Sequence, residues 1–149
     1  MSMAFLSRGD SMTRFLLPLF AVIILTLTGS SSSTAADKAP APSDRVLVVM
    51  VFDGGCHIWC DQVRPIISGV TKEFGDKVVL RELDVQKSEL HSSLEKAEEL
   101  GVKGFVQGAL AMVPTIGVFT PDRKLIRSIP GVSKGPTYKK YIERALKAG

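Results

Sequence analysis

Residues 46–65 of this 149-residue chain read VLVVMVFDGGCHIWCDQVRP. The first seven of these residues form an unbroken apolar run, which is typical of a β-strand buried on both faces. Asp53, Gly54 and Gly55 break the run, and a helical spacing of apolar residues begins at Cys60. The stretch therefore predicts a strand, a tight turn and a helix, with both cysteines of the chain near the junction.

The elements after this stretch predict the architecture. Apolar periodicity and turn residues indicate a second strand, a second helix, a hairpin of two strands and a last helix. These elements are expected near residues 78–85, 90–101, 115–119 with 125–129, and 138–146. A strand–helix–strand unit favours parallel pairing, whereas a hairpin is antiparallel. We therefore predict an α/β fold with a mixed four-stranded sheet and helices on both faces.

The N-terminal region has the order of features typical of a secretory signal. Arg8 and Arg14 precede an apolar run at residues 15–28, and small residues follow, ending in Ala35 and Ala36. We expect cleavage after Ala36, which would make the chain an exported protein. The alternative is an uncleaved membrane anchor, although the run is shorter than the roughly 20 residues that span a bilayer.

The predicted organisation is a signal peptide at 1–36, a linker at 37–44 and one folded domain at 45–149. The expected location is the periplasm, either free or anchored to the membrane and facing the periplasm. Membrane contact is expected only if the N-terminal segment stays uncleaved.

Composition excludes several classes of function. The chain has 19 basic and 15 acidic residues, and no dense basic cluster supports binding to nucleic acid. Two cysteines cannot form a scaffold of several disulfides or a four-thiolate zinc site. They can form one bridge or share one metal ion.

The position of the cysteine pair indicates reactivity. Cys56 lies where the helix is expected to begin, and the positive end of a helix dipole stabilises a thiolate. Cys60 follows four residues later, a separation that places two sulfur atoms within disulfide range on a helix. In an oxidising compartment, a Cys56–Cys60 disulfide is therefore expected.

Several motifs in order resemble the thioredoxin-like family over most of residues 45–146. They are a strand ending in Phe52, the cysteine pair, Pro65 five residues after Cys60, and Val113-Pro114-Thr115, which is similar to the family's cis-proline loop. The resemblance implies a thioredoxin-like fold and thiol–disulfide oxidoreductase activity without an organic cofactor. It implies protein or peptide thiols and disulfides as substrates, together with a redox partner protein.

The resemblance also implies roles for the residues around the pair. The family motif is usually Cys-x-x-Cys, and this chain has Cys-x-x-x-Cys. Because Pro65 sets the register, Cys60 corresponds to the resolving cysteine and Cys56 becomes the attacking one. A protonated His57 would favour the Cys56 thiolate, and Asp61, if close, would disfavour the Cys60 thiolate. Trp59 either shields the disulfide or offers a substrate a stacking surface.

Other interpretations of the pair and of a nearby segment stay open at this point. Cys56, His57 and Cys60 could bind copper, since Cys-x-x-x-Cys on this fold also resembles Sco-type copper chaperones and thiolates suit Cu(I). Two further alternatives are a permanent structural disulfide and a redox-inert interaction domain. Residues 105–112 are an insertion relative to the family, and they predict either an apolar lip beside the cysteines or additional core packing.

Overall fold

The structure is a computed structural model that describes residues 44–149. The predicted signal peptide at 1–36 and the predicted linker, apart from Asp44, lie outside the described residues. Between residues 44 and 149, no helix combines the length and apolar character that crossing a bilayer requires. In chain order the elements are β1 (Val46–Phe52), α1 (His57–Lys72), a 3₁₀ turn (Gly75–Lys77), β2 (Val78–Asp84), α2 (Leu90–Glu99), α3 (Lys103–Ala109), β3 (Thr115–Phe119), β4 (Leu125–Pro130) and α4 (Gly135–Ala148).

The four strands form one mixed sheet in the order β2-β1-β3-β4. β1 is parallel to β2 and antiparallel to β3, and β3 is antiparallel to β4. The predicted mixed four-stranded α/β architecture is therefore confirmed.

Two hydrophobic cores lie on opposite faces of the sheet, and β1 contributes to both. Val46, Val48 and Met50 pack against side chains of α1 and α4. Leu47, Val49 and Val51 pack against side chains of α2 and α3. Because successive side chains of a strand point to opposite faces, a strand covered on both sides has to be apolar throughout.

Two local predictions differ from the structure. α1 begins at His57, three residues before the apolar periodicity starts, because Ile58 and Trp59 in its first turn face solvent and give no buried-stripe signal. A separate helix, α3 (Lys103–Ala109), covers the first part of the 105–112 insertion, where the sequence predicted no helix of its own. α2 and α3 are joined through Gly101, whose φ of 73° is a left-handed conformation that suits glycine.

The insertion serves the core at its start and the surface at its end. The Phe105 ring lies against Phe119 in a T-shaped contact, with the ring centroids 5.2 Å apart. The same ring covers Gly117, where a Cβ would lie only 2.6 Å from the Phe105 ring. Val106 and Ala109 are buried in the same core. Met112, in contrast, is 58% exposed. The first part of the segment therefore packs in the core, and the apolar lip stays a prediction for its exposed end.

Phe105→Ala is expected to lower the free energy of unfolding by about 2–3 kcal/mol, because it removes a ring packed against Gly117 and Phe119. Leu110→Ala is the matched control, since Leu110 is 40% exposed and its loss should change stability by no more than about 0.5 kcal/mol. Urea unfolding of both variants measures the difference. Equal losses would contradict this division of the insertion into core and surface parts.

Candidate active site

The sheet topology brings three loops together at one end of the strands. β1 runs antiparallel to β3, and Val51 near the end of β1 pairs with Thr115 at the start of β3. Thr115 also pairs with Pro130 at the end of β4. The turn after β1, the segment before β3 and the segment after β4 therefore lie side by side.

A compact turn places Cys56 at the start of α1. The Asp53 carbonyl accepts a hydrogen bond from the Cys56 N–H at 2.8 Å, and the Asp53 carboxylate accepts one from the Gly55 N–H at 2.8 Å. Cys56 is the N-cap residue, and within the described part of the chain no side chain caps this helix end. The His57 N–H donates to the Gly55 carbonyl at 3.1 Å, and the positive end of the helix dipole can stabilise negative charge on a nearby sulfur.

The two cysteines are free thiols in unlike surroundings. Cys56 is half-buried, whereas Cys60 is only 1% exposed and packs in the core. The pKa of Cys60 is raised from 9.0 to about 12. Burial is the largest cause, and a hydrogen bond with the Cys56 side chain also raises the pKa. A hydrogen bond from the Asp53 backbone and the charge of Arg64 oppose the rise. Near neutral pH the Cys60 sulfur therefore keeps its proton, while Cys56 presents the more accessible sulfur.

The charged residues on the first turns of α1 form a surface network. The His57 Nδ1 lies 3.7 Å from an Asp61 carboxylate oxygen, and the Arg64 Nη1 lies 3.3 Å from the other one. Arg64 also donates to Glu82 at 2.8 Å and lies over the Phe52 ring. Burial is the largest cause of the raised pKa of Cys60, and the role of Asp61 in disfavouring the Cys60 thiolate stays a prediction. A role of His57 in tuning Cys56 stays a prediction.

An apolar groove of about 370 Å³ lies beside the start of α1. Two of its largest side chains, Trp59 and Met112, are 56% and 58% exposed. The Val113–Pro114 peptide bond is cis, and the Pro114 carbonyl accepts a hydrogen bond from the Gly131 N–H at 2.7 Å. The described residues that line the groove are all uncharged: Trp59, Met112, Val113, Pro114, Pro130, Gly131 and Val132.

The structure brings some of the candidate residues together and separates others. Trp59, Val113 and Pro114 share the groove. Thr115 instead lies in β3, where it is buried and its hydroxyl donates to the Met112 carbonyl. The sequence reasoning did not assign Pro130 or Val132 to the site. Because Thr115 pairs with Pro130, the end of β4 and the residues after it lie beside the segment before β3. The register of the β3–β4 hairpin, if read from the sequence, would have indicated that Pro130 and Val132 belong to the site.

The copper alternative is not favoured by this geometry. Across residues 44–149, no three histidine, cysteine or acidic side chains converge as metal ligands. The His57 imidazole is 81% exposed and lies near Asp61. Copper binding by Cys56, His57 and Cys60 would need the histidine to leave that position.

Comparison with known proteins defines the fold. The sequence matches no family model, and no curated protein is significantly similar to it. Among solved structures, chloroplastic thioredoxin z is similar with a TM-score of 0.52 and 19% identity, over 79% of this chain and 92% of that one. A thiol:disulfide interchange protein of the thioredoxin family from Chlorobium tepidum TLS is similar with a TM-score of 0.51 and 15% identity, over 69% and 81%. The chain has a thioredoxin-like fold.

Proposed function

We propose that the chain is an exported thiol–disulfide oxidoreductase that exchanges disulfides with protein or peptide substrates through Cys56 and Cys60. The observation that carries the proposal is the arrangement of the pair. A half-buried cysteine at the start of α1 packs against the core cluster that contains the second, fully buried cysteine, and burial raises the pKa of that second thiol. Export is proposed from the charged, apolar and small-residue order of residues 1–36, with the periplasm as the compartment.

In the proposed reaction the Cys56 thiolate attacks one sulfur of a substrate disulfide. The substrate S–S bond breaks, a mixed disulfide with Cys56 forms, and the other substrate sulfur leaves as a thiolate that takes up a proton. The Cys60 thiol then gives its proton to solvent, and its sulfur attacks Cys56. This step releases the second substrate thiol and leaves a Cys56–Cys60 disulfide, so two electrons have passed to the substrate.

Formation of the mixed disulfide also activates Cys60. The hydrogen bond with the Cys56 side chain and the charge of that group both raise the pKa of Cys60. Both contributions end once the Cys56 sulfur is bonded to substrate, so the pKa of Cys60 falls when its thiolate is needed. Run in reverse, the same steps oxidise a substrate dithiol, and the reduction potential relative to the compartment sets the direction.

The groove supports polypeptide substrates. Trp59 and Met112 are exposed apolar side chains that line the groove at the start of α1. They offer contact area for an uncharged segment of the substrate beside its own cysteine. Val113 and Pro114 line the same groove, and an extended peptide could pair with the backbone of Val113. A redox partner protein that restores the starting state would use the same surface.

A redox titration in glutathione buffers tests the proposal. The chain is equilibrated over a range of ratios of reduced to oxidised glutathione, quenched by alkylation, and its free thiols are counted by mass spectrometry. We expect one two-electron transition between the dithiol and the Cys56–Cys60 disulfide. A pair that stays fully reduced or fully oxidised over the whole range would exclude the oxidoreductase function. Stoichiometric retention of Cu(I) that is lost in Cys56→Ser would instead favour the copper-binding alternative.

A further inference from the structure

Asp84, the last residue of β2, holds the turn that precedes Cys56 from the neighbouring strand. Its Oδ1 atom accepts hydrogen bonds from the N–H groups of Gly54 and Gln86, each at 2.9 Å. Asp84 pairs with Phe52 at the end of the β1–β2 ladder, and the Phe52 carbonyl accepts the Val85 N–H at 2.7 Å. One carboxylate thus links the loop after β1 to the loop after β2.

The fit between this carboxylate and Gly54 is tight. A Cβ at residue 54 would lie 2.8 Å from the Asp84 Oδ2 and 2.4 Å from the Gln86 Oε1. A Cβ at residue 54 would therefore displace the ends of the Asp84 and Gln86 side chains. The Asp84 carboxylate thus lies directly against the Gly54 backbone, although the two residues are 30 positions apart in the chain.

Asp84 is itself anchored to the far side of the sheet. Its backbone carbonyl accepts a hydrogen bond of 2.6 Å from the hydroxyl of Ser93, a buried residue of α2. The carboxylate therefore extends from a fixed backbone position, and it can restrain the Gly54 turn more firmly than a free side chain could.

The turn that Asp84 restrains controls both sulfur atoms. Asp53, next to Gly54, accepts the Cys56 N–H through its carbonyl at 2.8 Å, and the Asp53 backbone is one of the groups that lower the pKa of Cys60. We propose that Asp84 is a positioning residue that holds this turn so that the Cys56 sulfur stays within bonding reach of Cys60. The inference rests on the proposed function. A disulfide requires about 2.05 Å between sulfur atoms, and a restrained turn raises the effective concentration of one thiol at the other.

The test is the glutathione titration, repeated on Asp84→Ala. We expect the Cys56–Cys60 disulfide to become about fivefold easier to reduce, as the loss of one hydrogen bond of typical net strength would cause. Asp84→Asn is the rescue variant, because its side-chain oxygen can accept the same two bonds, and it should stay close to the wild type. Asp84→Glu moves the carboxylate by one methylene, and it should make the disulfide easier to reduce, as Asp84→Ala does. The test therefore does not depend on the folding of the alanine variant.

Thr120→Ala is the matched control. The Thr120 hydroxyl accepts the Lys124 N–H at 3.1 Å in the β3–β4 hairpin, at the opposite edge of the sheet from the cysteines. Thr120→Ala removes a hydrogen bond that holds this turn, and the substitution should lower the stability of the protein without changing the disulfide equilibrium. A wild-type pair that does not cycle would overturn the proposed function itself. A cycling wild type whose equilibrium is unmoved by Asp84→Ala and Asp84→Glu would overturn the role of Asp84 alone.

Discussion

Replacing Cys56 with serine is expected to lower the rate of disulfide exchange by at least about 10³-fold, because a serine hydroxyl supplies no thiolate near neutral pH. Cys56 is the half-buried sulfur at the start of α1, the helix whose Trp59 lines the groove that we propose for substrates. The measurement is reduction of a small protein disulfide by the chain, with its dithiol regenerated by a chemical reductant.

Cys60→Ser is the comparison that separates the two roles. Attack by Cys56 survives in this variant, but no second thiol releases the substrate. We therefore expect a mixed disulfide to accumulate, and non-reducing electrophoresis or intact-mass measurement detects it as a stoichiometric adduct. An active Cys56→Ser variant together with an adduct-free Cys60→Ser variant would reverse the assignment of attacking and resolving cysteine.

Both variants should fold, which makes the comparison clean. The cysteines are free thiols in the structure, so neither substitution removes a covalent link from the dithiol form. Serine at position 60 places a hydroxyl in the core, and we expect a loss of stability of about 1–2 kcal/mol from it. Thermal unfolding of both variants establishes that a lost activity reflects lost chemistry.

The parts of the fold that depend on strong periodicity could be predicted from the sequence. β1 matches its predicted bounds of Val46–Phe52 because a strand buried on both faces leaves an unbroken apolar run. α3 could not be predicted as a helix in the same way. It has seven residues and includes Gly104 and Gly108, which weaken its intrinsic preference. Its helix is stabilised by packing of Phe105 and Val106 against residues distant in the chain.

The candidate site shows the same limit. The location of the cysteines at a strand-to-helix turn follows from local sequence, because strand, glycines and helix are adjacent in the chain. The surroundings of the pair depend on contacts across the sheet. Arg64 binds Glu82 of β2, and Asp84 binds Gly54 over 30 residues. These partners are 18 and 30 residues apart in the chain, and a local sequence pattern does not specify them.

The second large effect concerns the order in which the two thiols react with an alkylating reagent. At pH 8 and with the protein reduced, we expect iodoacetamide to modify Cys56 first. The pKa of Cys60 is raised to about 12 by burial, so its thiolate fraction at pH 8 is on the order of 10⁻⁴. The sulfur is also only 1% exposed, which slows the reagent further. Peptide mapping by mass spectrometry at short times should show label on Cys56 alone.

The pH dependence of labelling follows from the same shift. A thiol far below its pKa gains thiolate about tenfold per pH unit, so labelling of Cys60 should rise at that slope between pH 8 and pH 10. Cys56→Ala removes the hydrogen bond and the charge that help to raise the pKa of Cys60. Cys60 in this variant should therefore react faster than in the wild type at every pH, while burial still keeps it slower than an exposed thiol. Cys60 labelled first in the wild type would show that the buried sulfur is not held protonated by its surroundings, and the attacking role would then have to pass from Cys56 to Cys60. Labelling of Cys60 that is unaffected by loss of Cys56 would contradict the activation of Cys60 by the mixed disulfide.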